Sequence, residues 1–359
     1  MSTDPPGIRT PQLLAWLAER LTEFDTSAAP AYRLLAGGRS NVTYAVTDAA
    51  GGRWALRRPP LGHVMPTAHD MSREFRVLQG LARVGFPAPA VWVLCEDDSV
   101  IGAPFMLMDF VDGRVIGTSE DARGLSADEA AGVSRTLVQG LARLHQVDVA
   151  AAGLADFGRP QGYLQRQVTR WGQQWSITKT RELASIDTLQ TWLTEQVRDL
   201  PDDSPWSLVH GDYRLDNVIL TPELSRLLAV LDWEMSTLGD PVADLAIALV
   251  YWTQAGDGLR AGIPVAQGVT SRPGFWTRQQ VAEGYAVISG SDLRNLDLCV
   301  VLACFKLAVI MESIHFRNVG GNQIGATAER GEDMGAATEA LAQLGLQVIS
   351  RGGIDGLAA

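Results

Sequence analysis

The chain has 359 residues, enough for about two ordinary domains and a sizeable core, which excludes a small scaffold held together by disulfides or metals. Apolar residues make up 46% and charged residues 20%, so neither a disordered nor a fibrous chain fits. The formal charge of −11 disfavours broad attraction to nucleic acid phosphates or to an anionic membrane, and neither is expected as a partner.

The first ten residues hold Asp4, Pro5 and Pro6 and lack a basic stretch leading into an apolar core, so no secretory signal is expected there. Thr10-Pro11 reads as a helix N-cap followed by proline at the first helical position, with Leu13, Leu17, Leu21 and Phe24 along one face. Residues 32–58 read as strands rich in Val, Tyr, Trp and Thr, broken at Gly37-Gly38 and at a turn over 48–52. A second helix is predicted over 67–84, burying Met71, Phe75 and Leu78. Strands at 91–95 and 105–111 follow, joined by the polar turn Glu96-Asp97-Asp98-Ser99. This first unit, residues 1–110, is a small twisted antiparallel sheet with one packed helix.

Residues 111–359 read as mainly helical. Ser126 and Glu129 form a capping box ahead of the stripe Val133, Leu137, Leu141, Leu144. Leu164, Val168, Trp171, Trp175 and then Ile186, Leu189, Leu193, Val197 give two more stripes. A compact β segment at 207–232 precedes helices near 241–252, 277–289 and 292–317, with a long loop over 255–274. Trp171, Trp175, Trp192, Trp206, Trp252 and Trp276 are candidates to wall a small-molecule pocket, although helical spacing also reads as core. The apolar run 298–310 carries Lys306 and is too short to span a bilayer, so no membrane segment is expected. Lys179 and Lys306 are the only lysines, a bias that reads as codon usage. Cys95, Cys299 and Cys304 show no C-x-x-C spacing and read as buried, reduced thiols of a cytoplasmic protein.

Chemistry concentrates at residues 208–234. Short apolar strands at 218–220 and 227–231, joined by the turn Thr221-Pro222-Glu223, should pair as an antiparallel hairpin, which puts Asn217 beside Asp232. Two hard oxygen donors side by side suit Mg2+, with waters and nucleotide phosphates completing its shell. Asp212, on the loop entering the hairpin, can face that site without ligating the metal, orient a substrate hydroxyl and accept its proton. Arg214 could reach the transferring phosphoryl group.

His210-Gly211-Asp212 with Asn217, followed by Leu231-Asp232-Trp233-Glu234, resembles the catalytic core of the aminoglycoside phosphotransferase and choline kinase-like superfamily, relatives of the protein kinases. The fuller run from His210 to Asn217, with Gly239-Asp240-Pro241 and Ala243-Asp244-Leu245-Ala246, is similar to the branch that also occurs fused to acyl-CoA dehydrogenases. The resemblance covers residues 32–317. It implies an α+β, two-lobed protein-kinase-like fold, a small antiparallel-sheet N-lobe and a larger mainly helical C-lobe, with ATP and Mg2+ and a small-molecule hydroxyl as acceptor. It makes Asp212 the base, Asn217 and Asp232 the metal ligands, and His210 a structural member of the loop. Asp240 reads as a helix N-cap, Asp244 as a brace under the loop, and His145 as a satisfied histidine.

In the N-lobe the expected nucleotide contacts are backbone N–H groups at Gly38 and the side chains of Ser40 and Asn41, although two adjacent glycines alone also read as a simple turn. Glu74 matches the acidic residue that pairs with a phosphate-binding lysine, but that lysine's strand here reads Trp54-Ala55-Leu56-Arg57-Arg58. Arg57 shares a face with Ala55 and is the candidate partner, with Arg58 second; arginine keeps the charge and changes the geometry. Met108 and Phe110, in the connection to the C-lobe, are expected to flank the base of ATP. The short interval between Asp232 and Gly239-Asp240-Pro241 leaves no long segment to hold a peptide, which disfavours a protein kinase. A nucleotide-binding pseudokinase without turnover is the alternative that Arg57 keeps open.

Overall fold

The structure, a computed structural model, describes residues 4–35, 41–61, 70–201, 205–263, 268–319 and 333–357. Gly38 and Ser40 lie outside the described residues, as does the start of the second predicted helix.

The N-lobe runs α1 (Thr10–Ala18), β1 (Ala31–Leu34), β2 (Val42–Thr47), β3 (Arg53–Arg58), α2 (Met71–Arg83), β4 (Val91–Cys95), the short α3 (Asp98–Ile101) and β5 (Phe105–Asp109). Its strands form one antiparallel sheet in the order β1-β2-β3-β5-β4. Side chains alternate across it. Trp54, Leu56 and Leu107 pack outward with Leu13, Leu17, Leu21 and Phe24, so α1 and its extension cover one face. Ala55, Met106 and Met108 pack inward with Val77, Leu78 and Leu81 of α2. Register puts Arg57 on that inward face, opposite Thr43 and Met106.

Local signals mostly hold, with shifts of a residue or two. Thr10 is not the cap of α1: Arg9 holds that place, and Thr10 sits inside the first turn with its hydroxyl 3.2 Å from the Tyr32 hydroxyl. Asp70 caps α2 by accepting from the Arg73 N–H at 3.0 Å. Phe75 is only half-buried, and Val77 and Leu81 carry the core face instead. The polar link before β5 contains α3 rather than a bare turn.

The C-lobe contains α4 (Ala127–His145), α5 (Tyr163–Thr178), α6 (Ala184–Val197), β6 (Ser207–Val209), β7 (Val218–Leu220), β8 (Leu227–Val230), β9 (Thr237–Gly239), α7 (Pro241–Tyr251), α8 (Arg278–Ser289), α9 (Leu296–Val319) and α10 (Met334–Arg351). The Ser126 capping box opens α4, and Asp240 caps α7 ahead of Pro241. Helix α9 begins four residues later than the sequence pattern suggests and is longer than the apolar run within it. At 24 residues and mean hydropathy 1.9 it is long and apolar enough to cross a bilayer, but 78% of that stretch is buried against α5, α6, α7 and α10, so its apolar surface is consumed by the core. Trp171, Trp175 and Trp252 also belong to this core, and Trp206 is exposed. Two small ladders carry the loops that matter: β6 pairs with β9, and β7 with β8.

Candidate active site

Hairpin pairing of Val218 with Val230 brings the residues flanking the ladder together, and the Leu231 N–H donates to the Asn217 carbonyl at 2.8 Å. Asp232 follows at φ +67°, a left-handed conformation that costs a non-glycine residue about 1–2 kcal/mol and turns its carboxylate out of the strand direction. A 3-10 turn, Leu215–Asn217, sets Asn217 at the mouth of the hairpin. Asn217 Nδ2 donates to the Asp212 carbonyl at 2.9 Å and to Asp212 Oδ2 at 3.1 Å. Its Oδ1 is therefore the amide face left for a cation.

The loop from His210 to Asp212 is held by its own buried polar groups. His210 Nε2 lies 2.9 Å from the Leu231 carbonyl, and the Asp212 N–H donates to His210 Nδ1 at 3.2 Å. Both contacts are satisfied by the neutral tautomer protonated at Nε2, so His210 serves as a spacer between loop and hairpin. Asp244, one turn into α7, accepts from the His210 N–H at 2.7 Å and the Gly211 N–H at 2.8 Å. His145 Nε2 lies 3.1 Å from the same carboxylate and Nδ1 2.6 Å from the Tyr285 hydroxyl. Burial alone would raise the Asp244 carboxyl; hydrogen bonding and charge from His145, with help from His210, hold it below its ordinary value. Gly211 adopts φ +83°, and a Cβ there would stand 2.7 Å from the Met235 carbonyl oxygen, so only glycine fits.

Three groups converge on the Asp212 carboxylate. Tyr251, at the end of α7, donates its hydroxyl to Oδ1 at 2.8 Å; Asn217 occupies Oδ2; and Arg214 Nε lies 3.4 Å from Oδ2. Arg214 is also 3.2 Å from Asp216, with its guanidinium 5.2 Å from the Tyr251 ring centroid. The sequence reading sent Arg214 toward the phosphoryl group; its contacts here are to the base candidate and its neighbour. Tyr251 was missed, because thirty-nine residues separate it from Asp212 and nothing local marks it.

Across the cleft, Arg57 Nε lies 3.0 Å from the Glu74 carboxylate, and Arg57 Nη2 pairs with Asp232 Oδ1. One guanidinium thus ties α2 to the end of β8. Arg58, the second candidate, points to the other face and donates to the carbonyls of Pro59 and Gly7. Asn41 Nδ2 donates to Glu234 Oε2 at 3.1 Å, a second link between lobes. Burial disfavours the Arg57 cation, but Glu74, Asp232 and Glu234 outweigh that and raise its proton affinity. Burial pushes the Glu74 carboxyl up to about 7, against the pull of Arg57, and Asp232 and Glu234 add to the rise. Three carboxylates around one guanidinium leave an excess of negative charge. Among the described residues no three His, Cys, Asp or Glu side chains form an all-protein metal cage. Two hard oxygens, Asn217 Oδ1 and the Asp232 carboxylate, in an acidic surround fit Mg2+, which keeps waters and phosphates in its shell.

Of the hinge candidates, Met108 is buried on the inward sheet face, opposite Ala55. Phe110 lies past the end of β5 with the Arg53 guanidinium 4.1 Å from its ring centroid, and Arg53 pairs with Asp112 at 2.6 Å. A cavity of about 40 Å³ opens beside Arg214 and Tyr251, lined also by Gly117, Thr253, Val269 and Thr270.

Residues 31–283 match the phosphotransferase enzyme family. The mouse protein named acyl-CoA dehydrogenase family member 10 is 36% identical over 313 residues, covering 86% of this chain and 28% of its own length. The crystal structure of a candidate aminoglycoside phosphotransferase from Ralstonia eutropha superposes with TM-score 0.76 at 31% identity, covering 96% of this chain and 98% of that one. A choline kinase from Cryptosporidium parvum shares the fold at TM-score 0.58 and 13% identity, with 96% and 97% covered. The chain spans less than half the length of the curated relatives it matches. The two-lobed kinase-like fold and the resemblance carried by the motif strings are both borne out, and the chain belongs to the phosphotransferase enzyme family.

Proposed function

We propose that this protein transfers the γ-phosphoryl group of ATP to a hydroxyl of a small molecule, with Asp212 as the base. The observation that carries the reading is the convergence of Asp212, Asn217, Asp232, Arg57 and Glu74 from both lobes on one cleft. Asn217 and Asp232 would hold Mg2+, which supplies charge neutralisation on the phosphates when bound. Tyr251 and Asn217 fix the rotamer of Asp212, so its carboxylate can orient an acceptor hydroxyl and take its proton as the oxygen attacks phosphorus. Arg214 balances the charge of Asp212 and Asp216 beside the acceptor. Arg57, bridging Glu74 and Asp232, can donate guanidinium N–H hydrogen bonds to phosphate oxygens in the place of the usual lysine.

For the acceptor, the relatives named acyl-CoA dehydrogenase family members 10 and 11 favour a hydroxylated acyl thioester or a related metabolite over an aminoglycoside. The test is ATP consumption by purified protein and Mg2+ across hydroxylated acyl thioesters, free hydroxy acids and aminoglycosides. Turnover with the first group supports the reading. Nucleotide binding without turnover on any acceptor would favour the pseudokinase reading.

A further inference from the structure

Lysine is almost absent from this chain, with two lysines against twenty-eight arginines, and one of the two is buried under the catalytic loop. Lys306 lies on α9, and its Nζ donates to the Gly211 carbonyl at 2.6 Å. The Trp171 ring on α5 lies 5.7 Å from the same ammonium, and Arg170 lies 5.4 Å from that ring. The Gly211 carbonyl and the Asp212 N–H belong to one rigid peptide plane. Lys306 holds the carbonyl end of that plane, His210 Nδ1 holds the N–H end, and Asp244 holds the preceding N–H of Gly211. A glycine at φ +83° has no side chain to resist rotation, so the plane that aims Asp212 is set by these three partners.

We propose that Lys306 is a positioning residue of phosphoryl transfer, its ammonium locking the Gly211–Asp212 peptide plane and so the direction of the Asp212 carboxylate. The inference rests on the phosphotransferase reading. An arginine fork is bulkier than the compact ammonium that fits here between α9, Trp171 and the loop. Burial pushes the Lys306 amine down to about 8; the charges facing it are Asp212 from the loop and Asp244 from α7, which pull it up, and Arg170 from α5, which pushes it further down. Above that pH the ammonium becomes a neutral amine and its hold on the carbonyl weakens. Folding stability moves the other way. The unfolded amine titrates near 10.5, so between about 8 and 10.5 the unfolded chain binds the extra proton and the contribution of Lys306 to stability rises with pH. An activity loss in this window is therefore not alkaline unfolding caused by Lys306.

The experiment measures kcat, KM and nucleotide affinity against pH for the parent, Lys306→Met and Lys306→Arg. The parent should lose kcat above about pH 8. Lys306→Met should lower kcat roughly 10- to 100-fold with nucleotide affinity within about twofold, and show no alkaline limb. Lys306→Arg, charged at every pH used, should recover part of kcat and also lack the limb. A folded Lys306→Met with kcat within about twofold of the parent, or with the limb retained, would overturn the proposal. Lysine labelled with 13C at the ε carbon gives two signals, Lys306 and the reference Lys179, and needs neither turnover nor a Lys306 variant. The Lys306 signal should titrate near 8 in the parent and lower in Asp212→Asn; an ordinary lysine midpoint, or one unmoved by Asp212→Asn, removes the coupling. If no acceptor is turned over, the phosphotransferase reading fails while this titration still decides whether Lys306 is coupled to the loop.

Discussion

Asp212 carries the heaviest claim made of a single residue, and its neighbours make it testable. Its carboxylate is held by Tyr251, Asn217 and Arg214 and has no part in the Arg57 to Asp232 link that ties the lobes. Asp212→Ala should cut phosphoryl transfer by at least about 100-fold while Mg-ATP affinity, read by calorimetry, stays within about threefold. Comparable loss of ATP affinity would assign Asp212 to the metal. Asp232→Ala should weaken magnesium-dependent nucleotide binding more than Asn217→Ala, because an amide contributes less attraction than a carboxylate. For the ion pair, Arg57→Ala should cut turnover strongly, Glu74→Ala less, and the double variant little beyond Arg57→Ala, since the two act as a unit. Arg58→Ala should leave turnover close to the parent, since its guanidinium faces the opposite side of the sheet.

At the scale of elements, the loop from His210 to Asp212 depends on two groups that make no contact with the Asp212 carboxylate, Gly211 and Asp244. Gly211→Ala places a methyl group against the Met235 carbonyl at a left-handed φ, and should cost about 1–3 kcal/mol in chemical denaturation. Asp244→Ala strands the N–H groups of His210 and Gly211 together with His145, and should cost roughly 3–5 kcal/mol. Asp244 is an acid held low in the fold, so its contribution is present above the unfolded value near 3.8 and is lost as pH falls through the lower folded one. These elements were legible where partners are close in sequence. The run from His210 to Asn217 and the hairpin at Val218 could be read directly, because a short ladder fixes who meets whom. Tyr251 and Lys306 could not, because their contacts to the loop cross 39 and 95 residues. Helix α10 also escaped the reading. Its buried face, Ala337, Leu341, Leu344 and Val348, alternates with small residues that give little contrast with the exposed side.

At the scale of the molecule, three of the contacts between the lobes gather at one place: Arg57 with Asp232, Asn41 with Glu234, and the Arg73 guanidinium donating to the Ser236 carbonyl at 3.1 Å. All three lie at or just after Asp232, so this part of the lobe junction and the proposed Mg2+ site share residues. Glu74 lies beneath this junction with its carboxyl raised from 4.5 to about 7. Its contribution to stability is fully present below about pH 4.5 and is lost as pH rises through about 7, because the folded chain keeps a proton the unfolded chain has released. Glu74→Gln should remove that dependence, which thermal melts between pH 4 and about 8 would read.

The claim on which the rest depends is that this cleft moves a phosphoryl group. The direct measurement is 31P NMR of ATP, Mg2+ and purified protein with a hydroxylated acyl thioester, run beside Asp212→Ala. The account predicts growth of ADP and of a phosphate monoester on the acceptor in equal amounts, with neither above background in the variant. ATP bound by the parent yet left intact with every hydroxylated acceptor, or the same product formed at the same rate by Asp212→Ala, would contradict it.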